Sequence, residues 1–183
     1  MKKFILLFFT LTVTIYGYTY NEMLIKAQIA VFPKILLLDK KINNKLVDNK
    51  IVFIIAHEES DGTTAANIQN IFLQLYKNTL SNYVFETKTV EFSKISQSTE
   101  ATAIYILNSQ TAIKDLSNIC ASKGIITFSY DINNLKSGLM FSLMLEKNTA
   151  LYINKKNFKN NKIDFIPSLY EIVKFINTQE DEQ

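Results

Sequence analysis

The one histidine of the chain, His57, is followed closely by Glu58, Glu59 and Asp61. An imidazole beside carboxylates is raw material for a metal site or for general acid–base chemistry. Zinc sites, however, usually draw on more than one histidine, and His-Glu-Glu is not the helical zinc motif. The ordinary reading of this stretch is a solvated strand-to-helix loop; the sharper reading is a ligand contact, and no metal is assigned. Elsewhere the chemistry thins out. The single cysteine, Cys120, falls within a helical pattern, the serines lack a Gly-x-Ser-x-Gly elbow, and no glycine-rich phosphate loop is present. Carboxylates such as Asp39 and Glu91 lack a spacing that marks a glycosidase. With no acid, base and nucleophile brought together, the expectation is a protein that is not an enzyme and carries no cofactor.

The elements that position these residues follow from apolar patterning. Ile51 to Ala56, Ala103 to Leu107 and Ile125 to Ser129 are short, continuous apolar or β-branched runs. Such runs suit strands buried on both faces, which belong to parallel sheets covered by helices. Between them lie helical patterns. Asn21 to Leu37 places Met23, Ala27, Ala30 and Val31 on one face, with Pro33 expected to bend or end the helix. After the Asp61-Gly62-Thr63 turn, Ile68, Ile71, Phe72 and Leu75 form a stripe. A third helix, capped by Asn108 or Ser109, runs to Ser122 with Ala112, Leu116 and Ile119 inward, and Gly124 ends it. Lys40 to Lys50 reads as a loop and Tyr83 to Phe92 as an extended segment. Leu139 to Leu145 and Thr149 to Ile153 form a hairpin around Glu146-Lys147-Asn148. Pro167 opens a last helix, with Leu169, Ile172, Val173 and Ile176 inward. The fold class is therefore α/β: a single doubly wound, mostly parallel sheet flanked by helices, with a C-terminal antiparallel hairpin and a final helix.

In such folds ligands bind at the carboxyl ends of the strands. His57, Asn108, Ser109, Ser129 and Tyr130 follow the three buried strands, so the sheet delivers them to one edge, where a small anionic or aromatic signal molecule would suit freed backbone groups and helix N-termini. Asn154 to Lys162 is the densest basic stretch, and Lys155, Lys156 and Lys159 are the candidate partner surface; the bland alternative is a solvated face. Phe141, Tyr152, Phe158 and Phe165 read as core. Cys120 reads as a small buried hydrophobe, the sharper alternative being an intermolecular bridge.

At the N-terminus, Lys2 and Lys3 precede an apolar run from Phe4 to Ile15 and then Gly17. This matches a secretory signal peptide cleaved after residue 17, leaving residues 18–183 as one exported domain. The run is short for a bilayer span, which takes about 20 apolar residues. The chain carries a net charge of +3, and all 20 of its strong bases are lysine, with no arginine. Lacking the planar fork that favours phosphate and base edges, it is not expected to bind nucleic acid.

Several local sequences resemble the YfiR/HmsC-like family of small periplasmic proteins. They are Lys26-Ala27 with Phe32-Pro33; Ala103 to Leu107 followed by Asn108-Ser109; Gly124-Ile125-Ile126-Thr127-Phe128-Ser129-Tyr130-Asp131; and Gly138 through Tyr152-Ile153-Asn154 to Ser168-Leu169. The chain departs from the family's pattern in having Ser137-Gly138 for a double glycine and Ala101-Thr102 where a cysteine often stands. The resemblance implies a periplasmic, non-enzymatic regulator. Such a protein binds the sensor region of an inner-membrane signalling protein, a diguanylate cyclase or related, and represses its output. The alternative reading is a ligand-binding component of an ABC-type uptake system.

Overall fold

The β-branched runs become the middle of one sheet. The computed structural model describes residues 18–145, 147, 149–156 and 162–176. The proposed leader, Phe158 and Lys159 lie outside the described residues. In chain order the elements are α1 (Glu22–Leu36), β1 (Lys50–His57), α2 (Gly62–Tyr76), β2 (Thr79–Leu80), β3 (Tyr83–Glu91), β4 (Ala103–Ile106), α3 (Ile113–Lys123), β5 (Ile126–Ser129), β6 (Phe141–Leu145), β7 (Thr149–Asn154), α4 (Pro167–Ile172) and β8 (Val173–Ile176). The sheet order is β2-β3-β1-β4-β5-β6-β7-β8. From β3 through β6 every pairing is parallel. The β6–β7 hairpin is antiparallel, as its spacing predicts.

Alternation along the strands divides the interior in two. Ile51, Phe53 and Ile55 of β1 and Tyr105 of β4 face the layer containing Ile29 and Phe32 of α1 and Phe72 of α2. Val52, Ile54, Ile104 and Ile106 face Leu116 and Cys120 of α3. The first layer is aromatic: Phe32 stacks on Phe128 at 4.6 Å, and Phe128 on Phe141 at 5.5 Å. Aromatic pairs at such separations add to the area they bury.

The helix faces differ from those read in the sequence. In α1 the buried set is Ile25, Gln28, Ile29, Phe32, Pro33, Ile35 and Leu36, while Met23 is 72% exposed. Ile25, Ile29, Phe32 and Leu36 form a second apolar stripe at helical spacing, and Gln28 goes inward with it to make hydrogen bonds. In α2, Tyr76 is buried and Leu75 is exposed. Pro33 does not end α1. The ring removes the N–H that would bond the carbonyl of Ile29, and the Tyr76 hydroxyl donates to that carbonyl at 2.9 Å and to Ala30 O at 3.2 Å. In α3 the inward residues are Ile113, Leu116, Ser117 and Cys120, with Ile119 only half-buried, and Gly124 ends it at φ 74°. The last helix is shorter than its pattern suggests. It stops at Ile172, which is exposed, and residues 173–176 pair in parallel with β7 as an eighth strand.

Candidate functional site

The chain leaves β1 on one side, through α2 to β3, and leaves β4 on the other, through α3 to β5. The carboxyl ends of β1 and β4 therefore form the switch point where open α/β sheets place a crevice. His57 to Asp61 follow β1, and Leu107 to Ser109 follow β4. The Ser109 hydroxyl donates to the Glu58 carboxylate, tying the two loops together. The same oxygen accepts from the backbone N–H groups of Thr111 and Ala112, so Ser109 caps the turn that leads into α3.

The loop after β1 is solvated at Glu59 and Ser60, as its composition suggests, but not at its two ends. His57 is 6% exposed and Asp61 3%. The His57 ring meets the Glu58 carbonyl through Nδ1 at 2.7 Å. Asp61 occupies the N-cap position of α2 but makes no side-chain capping bond there. Its carboxylate instead accepts the Tyr20 hydroxyl at 2.6 Å. The main-chain N–H of Asn108 donates to the same phenolic oxygen at 3.2 Å. Tyr20 thus bridges the loops after β1 and β4, across the switch point. Its ring stands edge-on to Tyr130, with centroids 4.8 Å apart. The Tyr130 hydroxyl in turn accepts from the N–H of Asn21, the N-cap of α1. Burial, followed by the hydrogen bond to Asp61, pushes the Tyr20 phenol well above its ordinary range.

Beneath this strap lies a buried polar set. Gln28 is fully buried; its amide donates to the carbonyls of Tyr130 and Leu143, both at 3.0 Å. Its carbonyl accepts the hydroxyl of Tyr105 at 2.5 Å. Two cavities flank the edge. One of about 560 Å³ runs between α1 and α2, with Tyr18, Tyr20, Thr64 and Ile71 in its wall. The other, about 470 Å³, lies on the opposite side of Glu58 against Phe92, Thr111 and Asp115. Both fall within the size range of small-molecule sites.

Of the five residues read as the ligand edge, His57, Asn108, Ser109 and Tyr130 stand around the strap. The Ser129 side chain, fully buried, is committed to the neighbouring turn: its hydroxyl donates to Asp131 O at 2.8 Å and accepts from Asn134 at 3.1 Å. Lys155 and Lys156 are exposed. Asn154, which opens the basic stretch, is a buried strand residue donating to Leu135 O at 2.7 Å. Asp39 is buried and ion-paired with Lys45, and accepts from the N–H groups of Lys41 and Asp164, a fastening between the loop after α1 and the C-terminal segment. The sequence reading missed Tyr20 and Gln28 as site residues, and named Asp61 only among the carboxylates that follow His57. The cluster Tyr16-Gly17-Tyr18-Thr19-Tyr20 and a glutamine set among Ile25, Ile29 and Phe32 were the available signals.

No protein-family profile and no curated sequence matches the chain. Among solved structures, a conserved domain protein from Vibrio cholerae O1 biovar eltor is similar, with a TM-score of 0.57 at 11% identity. The match covers 84% of this chain and 60% of that one. The ABC domain in complex with L-Trp from Streptococcus pneumoniae matches with a TM-score of 0.50 at 12% identity, over 78% of this chain and 60% of that one. The chain thus spans about 60% of the length of each neighbour, and at these identities the likeness is one of α/β fold.

Proposed function

We propose that this chain is an exported, non-enzymatic regulator similar to the YfiR/HmsC-like proteins. In this reading it works in the periplasm after loss of its leader. It binds the sensor region of an inner-membrane signalling protein, a diguanylate cyclase or related, and holds its output off. The observation that carries the reading is the occupied switch point. Where an open α/β sheet ordinarily offers its crevice to a small molecule, this one holds Tyr20 from its own N-terminal segment. The edge then presents Tyr18, Tyr20 and Tyr130 beside the two strand-end loops, all of them part-exposed. Tyrosine-rich, partly polar rims of this kind suit protein contact. Lys155 and Lys156 follow β7, which runs antiparallel to β6, so they stand toward the amino ends of the parallel strands and lie outside this edge. Among the described residues no helix is long and apolar enough to cross a membrane. The test is deletion of the gene: cellular cyclic-di-GMP should rise, and an unchanged level across growth conditions would count against the cyclase partner.

A second reading, a ligand-binding component of an ABC-type uptake system, is favoured by the two cavities beside the strand ends and by the fold shared with a protein crystallised with L-Trp. Under it, the purified chain binds a free nutrient in calorimetry, and deletion impairs uptake while leaving cyclic-di-GMP unaltered.

A further inference from the structure

Tyr20 is held by a set of groups matched to one functional group. Its hydroxyl donates to a buried carboxylate, Asp61, and accepts from a main-chain N–H, that of Asn108. A hydroxyl does both, and a phenol alone among the hydroxyl side chains also brings a ring; a phenylalanine ring does neither, an ammonium has no lone pair to offer, and an anion meets the Asp61 charge. The ring is placed by the edge of Tyr130. Asp61 stands where a helix cap belongs, yet its side chain is committed to the phenol and makes no cap bond. The residue that fills this arrangement belongs to no helix or strand: residues 18–20 precede α1, and Tyr20 is itself only part-buried. Withdrawing it would leave a buried carboxylate and a strand-end N–H in want of a partner, while every element of the sheet stays in place.

The geometry points to a socket for a phenolic hydroxyl, occupied in cis by Tyr20 and open in trans to a tyrosine side chain of the partner protein. This rests on the reading of the carboxyl edge as the binding edge. The N-terminal strap is then a built-in competitor. It keeps the socket satisfied when the domain is alone and yields when a partner's tyrosine brings additional contacts with it. Because a tethered group competes at an effective concentration on the order of millimolar, a free tyrosine must exceed that level to displace it. A partner presenting tyrosine in an extended interface does not face that limit.

The probe is N-acetyl-L-tyrosinamide, and the reporter is the backbone amide resonance of Asn108 in the purified, folded protein. The Tyr20→Ala variant should bind the probe roughly tenfold or more tightly than the wild type, because the competitor is gone. In the variant, N-acetyl-L-phenylalaninamide should bind roughly tenfold or more weakly than the tyrosine probe, because a site built to hydrogen-bond a hydroxyl rejects the analogue that lacks it. The phosphotyrosine analogue should not compete. If Tyr20→Ala does not fold, Tyr20→Phe keeps the ring and removes the hydroxyl, and it should release the socket to the probe more readily than the wild type does. Equal binding of the tyrosine and phenylalanine probes, or no shift at Asn108 in a folded variant, overturns the socket. These measurements are made without a membrane partner, so they stand or fall separately from the cyclic-di-GMP experiment.

Discussion

Replacing Gln28 by leucine tests whether the edge is held from beneath by hydrogen bonds and not by packing alone. Leucine is close in volume, so little cavity forms. What is lost is polar: the Tyr105 hydroxyl, fully buried, loses its acceptor, and the carbonyls of Tyr130 and Leu143 lose a donor. A buried polar group left without a partner costs about 1–3 kcal/mol, so three such groups place Gln28→Leu at about 3 kcal/mol or more. Tyr105→Phe alone strands only the Gln28 carbonyl and should cost about 1–2 kcal/mol. In the double variant the hydroxyl is no longer present to be stranded, so its cost should fall short of the sum by about 1 kcal/mol or more. The assay is urea unfolding at neutral pH with the slope checked for constancy. A loss below about 0.5 kcal/mol for Gln28→Leu, or strict additivity in the double variant, would refute the reasoning.

Three further outcomes follow from other parts of the molecule. Tyr76→Phe removes the donor to Ile29 O and should cost about 1–2 kcal/mol, and most of that loss should vanish in a Pro33→Ala background, where residue 33 regains an N–H for that carbonyl; equal losses in both backgrounds would contradict it. Cys120 is 1% exposed and burial pushes its thiol up to about 12, so a thiol reagent should label it only at the rate of unfolding, and rapid labelling of the native protein would count against this. Burial also holds Tyr105 and Tyr20 above the ordinary phenol range and Tyr76 at about 12. Each of these groups stays protonated when folded and ionises near its ordinary value when unfolded. Their contribution is therefore complete below about pH 9 and is lost as pH rises toward the folded values, with a slope of about 1.4 kcal/mol per pH unit for each fully buried group; a urea midpoint that stays flat from pH 8.5 to 11 would exclude it.

The parallel centre of the sheet was legible because Ile51 to Ala56 and Ala103 to Leu107 are apolar on both faces, and only a doubly covered strand makes use of that. The hairpin was legible from its spacing. The face of α1 was not, because Met23, Ala27, Ala30 and Val31 compete with Ile25, Ile29, Phe32 and Leu36 as an apolar stripe, and the partners of Gln28 on the buried face lie 77 to 115 residues away along the chain. The eighth strand was hidden for a related reason. Leu169, Ile172, Val173 and Ile176 satisfy a helical period, and pairing of residues 173–176 with β7 overrides it. At the site, the strand ends named four of the residues around the edge, since topology alone brings them together. Tyr20 was not legible, because its bonds to Asp61 and Asn108 span 41 and 88 residues and nothing local about a tyrosine ahead of a helix announces them.

The central claim is that the chain represses a membrane-bound cyclase through the carboxyl edge of its sheet. It is tested most directly by measuring cyclic-di-GMP in a deletion strain that carries one of three versions of the gene. These are the wild type, Tyr130→Ala at the carboxyl edge, and Glu100→Ala at an exposed position beside the amino ends of the strands. The account predicts that the wild type and Glu100→Ala return the second messenger to its low level, while Tyr130→Ala, folded and exported in equal amount, leaves it high. Restoration by Tyr130→Ala to the same low level, or a deletion that never raises cyclic-di-GMP, would contradict it.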